Sequence, residues 1–171
     1  MIEYDDMTYT LKDVRAFLAV ACFLLMPIHN FSSGQSSRDR DVAVVVNDDT
    51  PVDELGLAEV RKVFLGERQY WNAKLPVVLL IRAPVARERD VALRVIYQMT
   101  ETQFKQYWVA KIFRGEVTGP PRIVYSNDLQ YELVSAMPGA IAFVDSRNVH
   151  PGVKVVRVDG MLPGDKNYPL R

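Results

Sequence analysis

The chain has 171 residues, enough for one domain whose core needs no staples. Its 21 Lys and Arg balance 21 Asp and Glu, which argues against a broad nucleic-acid surface and leaves room for a local anion site. One cysteine, Cys22, and two histidines, His29 and His150, exclude a Cys/His metal cluster, a cysteine nucleophile with its base, and a disulfide framework.

The N-terminus reads as a targeting segment. AFLAVACFLLM (16–26) is an uninterrupted apolar run with Lys12 and Arg15 before it. Pro27 and the polar SSGQSSRDRD (32–41) follow. That order is the pattern of a secretory signal, and the run is short for a membrane span, which takes about 20 residues. Residues 1–37 are therefore expected to be signal and polar exit, and residues 38–171 the folded domain. The acidic MIEYDD makes Met7 an alternative start, and the cut is expected near 31–37. LAVAC (18–22) is no lipobox, because FLLM rather than a polar stretch follows the cysteine. Once cut, the chain would keep no cysteine and no membrane-spanning run, which suits an oxidising compartment.

After the signal, strands and helices alternate. DVAVVVN (41–47) is a continuous β-branched run, as in a strand buried on both faces. A polar loop, DDTPVDELG, leads to a helix with Leu57, Val60 and Phe64 on one face and Gly66 at its C′ position. LPVVLLIRA (75–83) is the second strand. Residues 86–99 form a helix with Val91, Val95 and Met99 as its stripe. Thr100 with Gln103 is a capping box for the next helix, where Phe104, Trp108 and Ile112 form the stripe and Gly115 the stop. RIVYS (122–126) is a short strand, and Asn127 with Gln130 caps a helix with Leu129, Leu133 and Met137 inward. Pro138-Gly139 turns into AIAFVD (140–145), and VKVVRVD (153–159) is the last strand. The alternation predicts an α/β fold with a mostly parallel sheet flanked by helices.

Two stretches invite comparison, VFLGERQYW (63–71) and WVAKIFRG (108–115). Each holds an aromatic, one residue and then a glycine, Phe64-Leu65-Gly66 and Phe113-Arg114-Gly115, with one of the two tryptophans, Trp71 and Trp108. The Trp lies on opposite sides of the Gly, so they are not a repeat. Gly66 and Gly115 read as helix stops, and Phe64, Ile112 and both tryptophans as core rather than as a ligand cage.

No hydrolase elbow, phosphate loop, dinucleotide fingerprint or metalloprotease motif occurs, and the acidic residues form no recognisable pair. With no nucleophile–base pair and no metal set, the chain is expected to be no enzyme and to need no cofactor. His150 sits in a turn, RNVHPG, and Asp48 and Asp49 are turn formers. Two strand-to-helix junctions carry the chemistry. Arg82 ends a strand, and a loop leads to a helix start near Ala86–Arg89. Open α/β sheets bind ligands beyond the carboxyl ends of their strands, and helix N-termini favour anions. Arg82, Arg87 and Arg89 then bracket an oxyanion, or else are surface arginines partnered by Glu88 and Asp90. Ser126 and Asn127 sit at the second junction, as further anion donors or as a plain helix cap.

The order VAVVVN, AEVRKVFLGERQYWN, LPVVLLIR, IFRGE, YSN, VSAMPGAIAFVD and VKVVRVDG resembles the phosphate-binding solute receptors of ABC transporters. It is similar, above all, to short single-lobe phosphate-binding-like proteins of the proteobacterial periplasm. The resemblance spans about residues 41–160, and VFLGERQYWN (63–72) and MPGAIAFVD (137–145) carry most of it. It implies one lobe of a type II periplasmic-binding α/β sandwich, a periplasmic location, and phosphate or a similar oxyanion as ligand. It also implies departures. A receptor holds phosphate between two lobes, and the stretch before VAVVVN does not supply the first. A Ser-Gly-Thr loop should follow the strand arginine, yet here Arg82-Ala83-Pro84-Val85-Ala86-Arg87-Glu88-Arg89 follows the strand, and only Arg82 carries over. The hydroxyls are gone and Pro84 has no N–H. The expected function is a weakly oxyanion-binding accessory to transport. The alternative is a protein-interaction module or homodimer that reuses the exposed cleft face without binding a ligand.

Overall fold

β-Branched residues repeat without interruption in Val42–Asn47 (β1), and this strand is fully buried, as a strand covered on both faces must be. The computed structural model describes residues 41–171. The signal and polar exit over 1–37, Met7, Cys22 and His29 lie outside the described residues.

β1 sits in a five-stranded sheet with Val78–Arg82 (β5), Arg122–Val124 (β6), Ala140–Asp145 (β7) and Val153–Val155 (β8), in the order β6-β5-β7-β1-β8. β5 pairs in parallel with β6 and β7, and β1 pairs antiparallel with β7 and β8. So β5, β6, β7 and β8 run one way and β1 runs against them. Two small ribbons flank the sheet. Glu54–Leu55 (β2) pairs with Arg157–Val158 (β9), and Tyr70–Asn72 (β3) with Leu75–Pro76 (β4). The expected strand 75–83 is thus broken after Pro76, and Val77 turns its N–H to the Gln69 carbonyl. The expected last strand is broken at Val156, and its two halves join different sheets.

The period-2 alternation of β1 splits the core in two. Val42, Val44 and Val46 face helices Leu57–Phe64 (α1), Arg87–Val91 (α2) and Glu101–Phe113 (α3). Phe64 stacks on Phe143 with centroids 4.0 Å apart, and Tyr97, Phe104 and Trp108 continue the contact edge to face. Ala43 and Val45 face the other way, with Ala140, Ala142 and Val144, where small side chains let Asn127–Ala136 (α4) lie close.

The helix stops are those the sequence predicts. The Gly66 N–H reaches Val63 O and the Glu67 N–H reaches Lys62 O. Likewise Gly115 bonds to Ile112 O and Glu116 to Lys111 O. Both are Schellman closures, with φ of +68° at each glycine.

Three inward faces differ from expectation. α2 widens into a π-helical turn over Ala92–Tyr97 and closes on Gln98 at φ +53°. The wider turn buries Val91, Ala92, Leu93, Ile96 and Tyr97 and leaves Val95 and Met99 only partly covered. In α3 the inward stripe ends on Lys111, not Ile112, which is 39% exposed. Lys111 stays buried because its chain packs along Tyr107 while its ammonium meets Glu116 at 3.3 Å. In α4 the inward residues are Gln130 and Val134, whereas Leu129 is exposed and Leu133 and Met137 lie at the margin. Ser126, not Asn127, is the cap, since its Oγ accepts the Leu129 N–H. Gln130 turns into the sheet and donates to Phe143 O. Among the described residues no helix is long and apolar enough to cross a membrane.

Candidate functional site

The carboxyl ends of β5, β6 and β7 open at one end of the sheet. Arg82 is the last residue of β5 and stands opposite Val124 of β6. Its side chain is 12% exposed. One nitrogen, Nη1, donates to Val124 O at 3.3 Å. Nε is buried without a hydrogen-bond partner, and the nearest carboxylate, Glu88, is 3.9 Å away. That distance is too long for a hydrogen bond, so most of the fork is unspent.

Ser126 follows two residues after Val124, so the second junction adjoins the first. Ser126 is exposed and its Oγ is used as an acceptor, which leaves the hydroxyl proton to donate. Asn127 is half-buried and its Oδ1 has no partner. A half-turn of that amide presents its NH2 group at the same place.

The other two arginines go elsewhere. Arg89 is 2% exposed and serves the scaffold. Its Nε and Nη2 hold both oxygens of Glu101 at 2.9 Å, Nη1 donates to the Arg82 carbonyl at 2.8 Å, and its plane lies over Phe104. This fork ties the end of β5 to the start of α3, and it holds the Glu101 carboxyl below its ordinary range. Its partner is Glu101, not the Glu88 or Asp90 that the alternative reading expected. Arg87 is exposed and its charge reaches Asp145 at the end of β7. Asp145 is gripped first by Arg147, through the backbone N–H and two guanidinium nitrogens at 2.8–3.0 Å. That grip outweighs burial and lowers the carboxyl. α2 has no side-chain cap at its N-terminus.

The fold thus brings together Arg82, Ser126 and Asn127, sets Arg87 toward β7, and turns Arg89 inward. Sequence reasoning missed that Glu88, 6% exposed, and Asp145 share this mouth. The Asp145–Arg147 pair was a legible signal, an acid at a strand end with a base two residues on. Glu88 gave none, since inward and outward residues alternate too fast in a five-residue helix.

The chain matches no protein-family model and no curated protein. Solved structures do match. A candidate phosphate ABC transporter substrate-binding protein from Clostridium perfringens, with bound phosphate, aligns at TM-score 0.58 and 20% identity over 72% of this chain and 46% of that one. An ABC-type phosphate transport receptor from Vibrio cholerae aligns at 0.57 and 17%, over 72% and 48%. PstS from Borrelia burgdorferi aligns at 0.58 and 13%, over 76% and 53%.

The fold is that of one lobe of a phosphate-receptor-type periplasmic binding protein. The chain spans about half the length of the structures it matches. At these identities the likeness concerns the backbone, and the side chains of the mouth have to be judged by themselves. Two of the matched structures are described as a substrate-binding protein and a receptor of phosphate transport.

Proposed function

We propose that this chain is a secreted, periplasmic, non-enzymatic module that binds an inorganic oxyanion of the phosphate class weakly, as an accessory to solute transport. The observation that carries the reading is Arg82. Its guanidinium is held at a strand's carboxyl end with Nε buried and without a hydrogen bond, 3.9 Å from the Glu88 carboxylate, near Asn127, whose Oδ1 has no hydrogen-bond partner, and Ser126, whose hydroxyl proton is left to donate. A tetrahedral oxyanion accepts from all three, and a planar fork matches two of its oxygens. Glu88 and Asp145, both buried at this mouth, oppose the anion. Both weaken binding, to a dissociation constant of roughly micromolar to millimolar. Calorimetry with phosphate and sulfate tests this. Arg82→Gln should abolish the heat of binding, and an unchanged affinity in that variant would place the anion elsewhere.

A second reading rests on apolar exposure at the same mouth. Val85 is 97% exposed, Tyr125 78% and Ile123, on the edge strand β6, 48%. Under this reading a second copy of the chain covers that edge and no anion binds. Sedimentation of the protein separates the readings: a dimer disrupted by Tyr125→Glu, with no phosphate heat, favours the second.

A further inference from the structure

The start of β5 borders a groove that the anion reading does not use. It has a volume of about 410 Å³, inside the range of small-ligand sites. The two glycine-closed stretches meet there. Gly66 packs on the Trp108 indole so tightly that an added Cβ would lie 3.0 Å from its ring edge. Tyr107 donates its hydroxyl proton to Leu65 O at 2.8 Å, and Gln69 donates to Glu116 O at 2.7 Å. These bonds fix the turn after α1 against the end of α3, so the walls are built rather than loose.

The floor is apolar. Val77, Leu79 and Val117 line it half-buried, on the same core face as Trp108. The rim is cationic. Arg122 lines it exposed and makes no ion pair among the described residues, with only a 3.6 Å contact to the Met137 sulfur. Arg68 adds a second guanidinium, which spends two nitrogens on the carbonyls of Tyr70 and Trp71 and lies over the Trp71 ring. In the wall, the Trp108 indole N–H is buried and has no hydrogen-bond partner, although the side chain is only 3% exposed. Buried polar groups without partners are uncommon and ask for an explanation. Arg122 begins β6 opposite Leu80, two residues before Arg82 along the parallel β5, so the groove lies toward the amino ends of these strands and the oxyanion mouth at their carboxyl ends.

We propose that this groove is a second binding site, for a small organic carboxylate whose anionic end meets Arg122 and whose planar apolar body lies along Val77, Leu79 and Trp108. An inorganic oxyanion fits it badly, since it leaves the apolar side chains Val77, Leu79 and Val117 unanswered. An uncharged aromatic leaves Arg122 unused. Only a ligand with both halves answers both surfaces.

The test is a titration of ¹⁵N-labelled protein with phenylacetate, followed on the two indole N–H resonances. Trp71→Phe identifies the Trp108 signal. Phenylacetate should move it saturably. Arg122→Gln should weaken binding roughly tenfold, and the uncharged phenylacetamide should bind about as poorly as that variant allows. Arg82→Gln should leave phenylacetate binding intact, so this site stands or falls separately from the oxyanion mouth. The Trp71 indole donates to Gly139 O at 2.8 Å, and its unmoved resonance shows that each variant is folded. No saturable shift up to about 10 mM would overturn the proposal. So would equal binding of phenylacetamide, equal binding by Arg122→Gln, or loss of phenylacetate binding in Arg82→Gln.

Discussion

At the residue scale, two side chains of the Arg82 loop show opposite priorities. Val85 adopts φ +68°, where a β-branched residue is strained, and it is 97% exposed. It has no packing to lose. Relief of the left-handed strain is worth about 1–2 kcal/mol, and a glycine returns about 0.5–1 of it to the unfolded chain. Val85→Gly should therefore stabilise the domain by about 0.5–1 kcal/mol in urea denaturation. A loss of stability would mean that Val85 is covered in solution, as the second reading requires. Arg89 works the other way, with every bond inward. Glu101 has a folded-state pKa below its ordinary 4.5, so its contribution is complete at neutral pH and is lost as pH falls below that value. Glu101→Gln should lower stability at pH 7 and flatten the acid limb of the stability curve. An acid limb identical to that of the parent would show that the pair contributes no pH dependence.

At the scale of elements, what was legible follows from repetition. β1 and β7 were readable because each is a run of β-branched and small residues with no polar interruption, and both are fully buried. The two helix stops were readable because Gly at C′ marks a local backbone need. Stripes were less so. Lys111 takes an inward place that a hydropathy pattern gives to Ile112, because its methylenes pack and its ammonium finds Glu116. Gln130 is inward for a like reason, a carbonyl of β7 that needs a donor. Arg82 was legible from its strand end, but Arg89 was not, since its partner Glu101 is twelve residues on and at the start of another helix. The corrected faces have a consequence for stability. Phe104→Ala, at a site 5% exposed, should cost about 3–5 kcal/mol. Phe113→Ala, at a site 87% exposed, should stay within about 0.5 kcal/mol. Paired denaturation curves check this, and a large loss at Phe113 would reveal a partner on the outer face of α3.

At the scale of the whole molecule, the question is what closes the mouth. Under the proposed function, Arg82, Ser126 and Asn127 would approach an anion from one side of the mouth. An anion left half in water keeps part of its hydration and gains little from a few donors. A second copy seated over Val85 and Tyr125 would exclude that water and could add its own Arg82. Binding and self-association would then be linked, each strengthening the other by the same factor. A single-lobe weak binder and a pair closed around the anion, which differs from the ligand-free dimer of the second reading, therefore differ in how phosphate affinity depends on protein concentration. For a single-lobe weak binder the dissociation constant should stay the same over about a hundredfold range of protein, and sedimentation should give the monomer mass with and without phosphate. For a closed pair, affinity should rise with protein concentration and phosphate should promote the dimer. Tyr125→Glu should remove both effects while leaving the monomer's weak phosphate heat. We expect the first pattern, because Arg82 facing Arg82 brings like charges together and Glu88, the nearest carboxylate, stands 3.9 Å from its own arginine. A phosphate-promoted dimer would refute that expectation and would make the anion the counter-ion that holds two copies together.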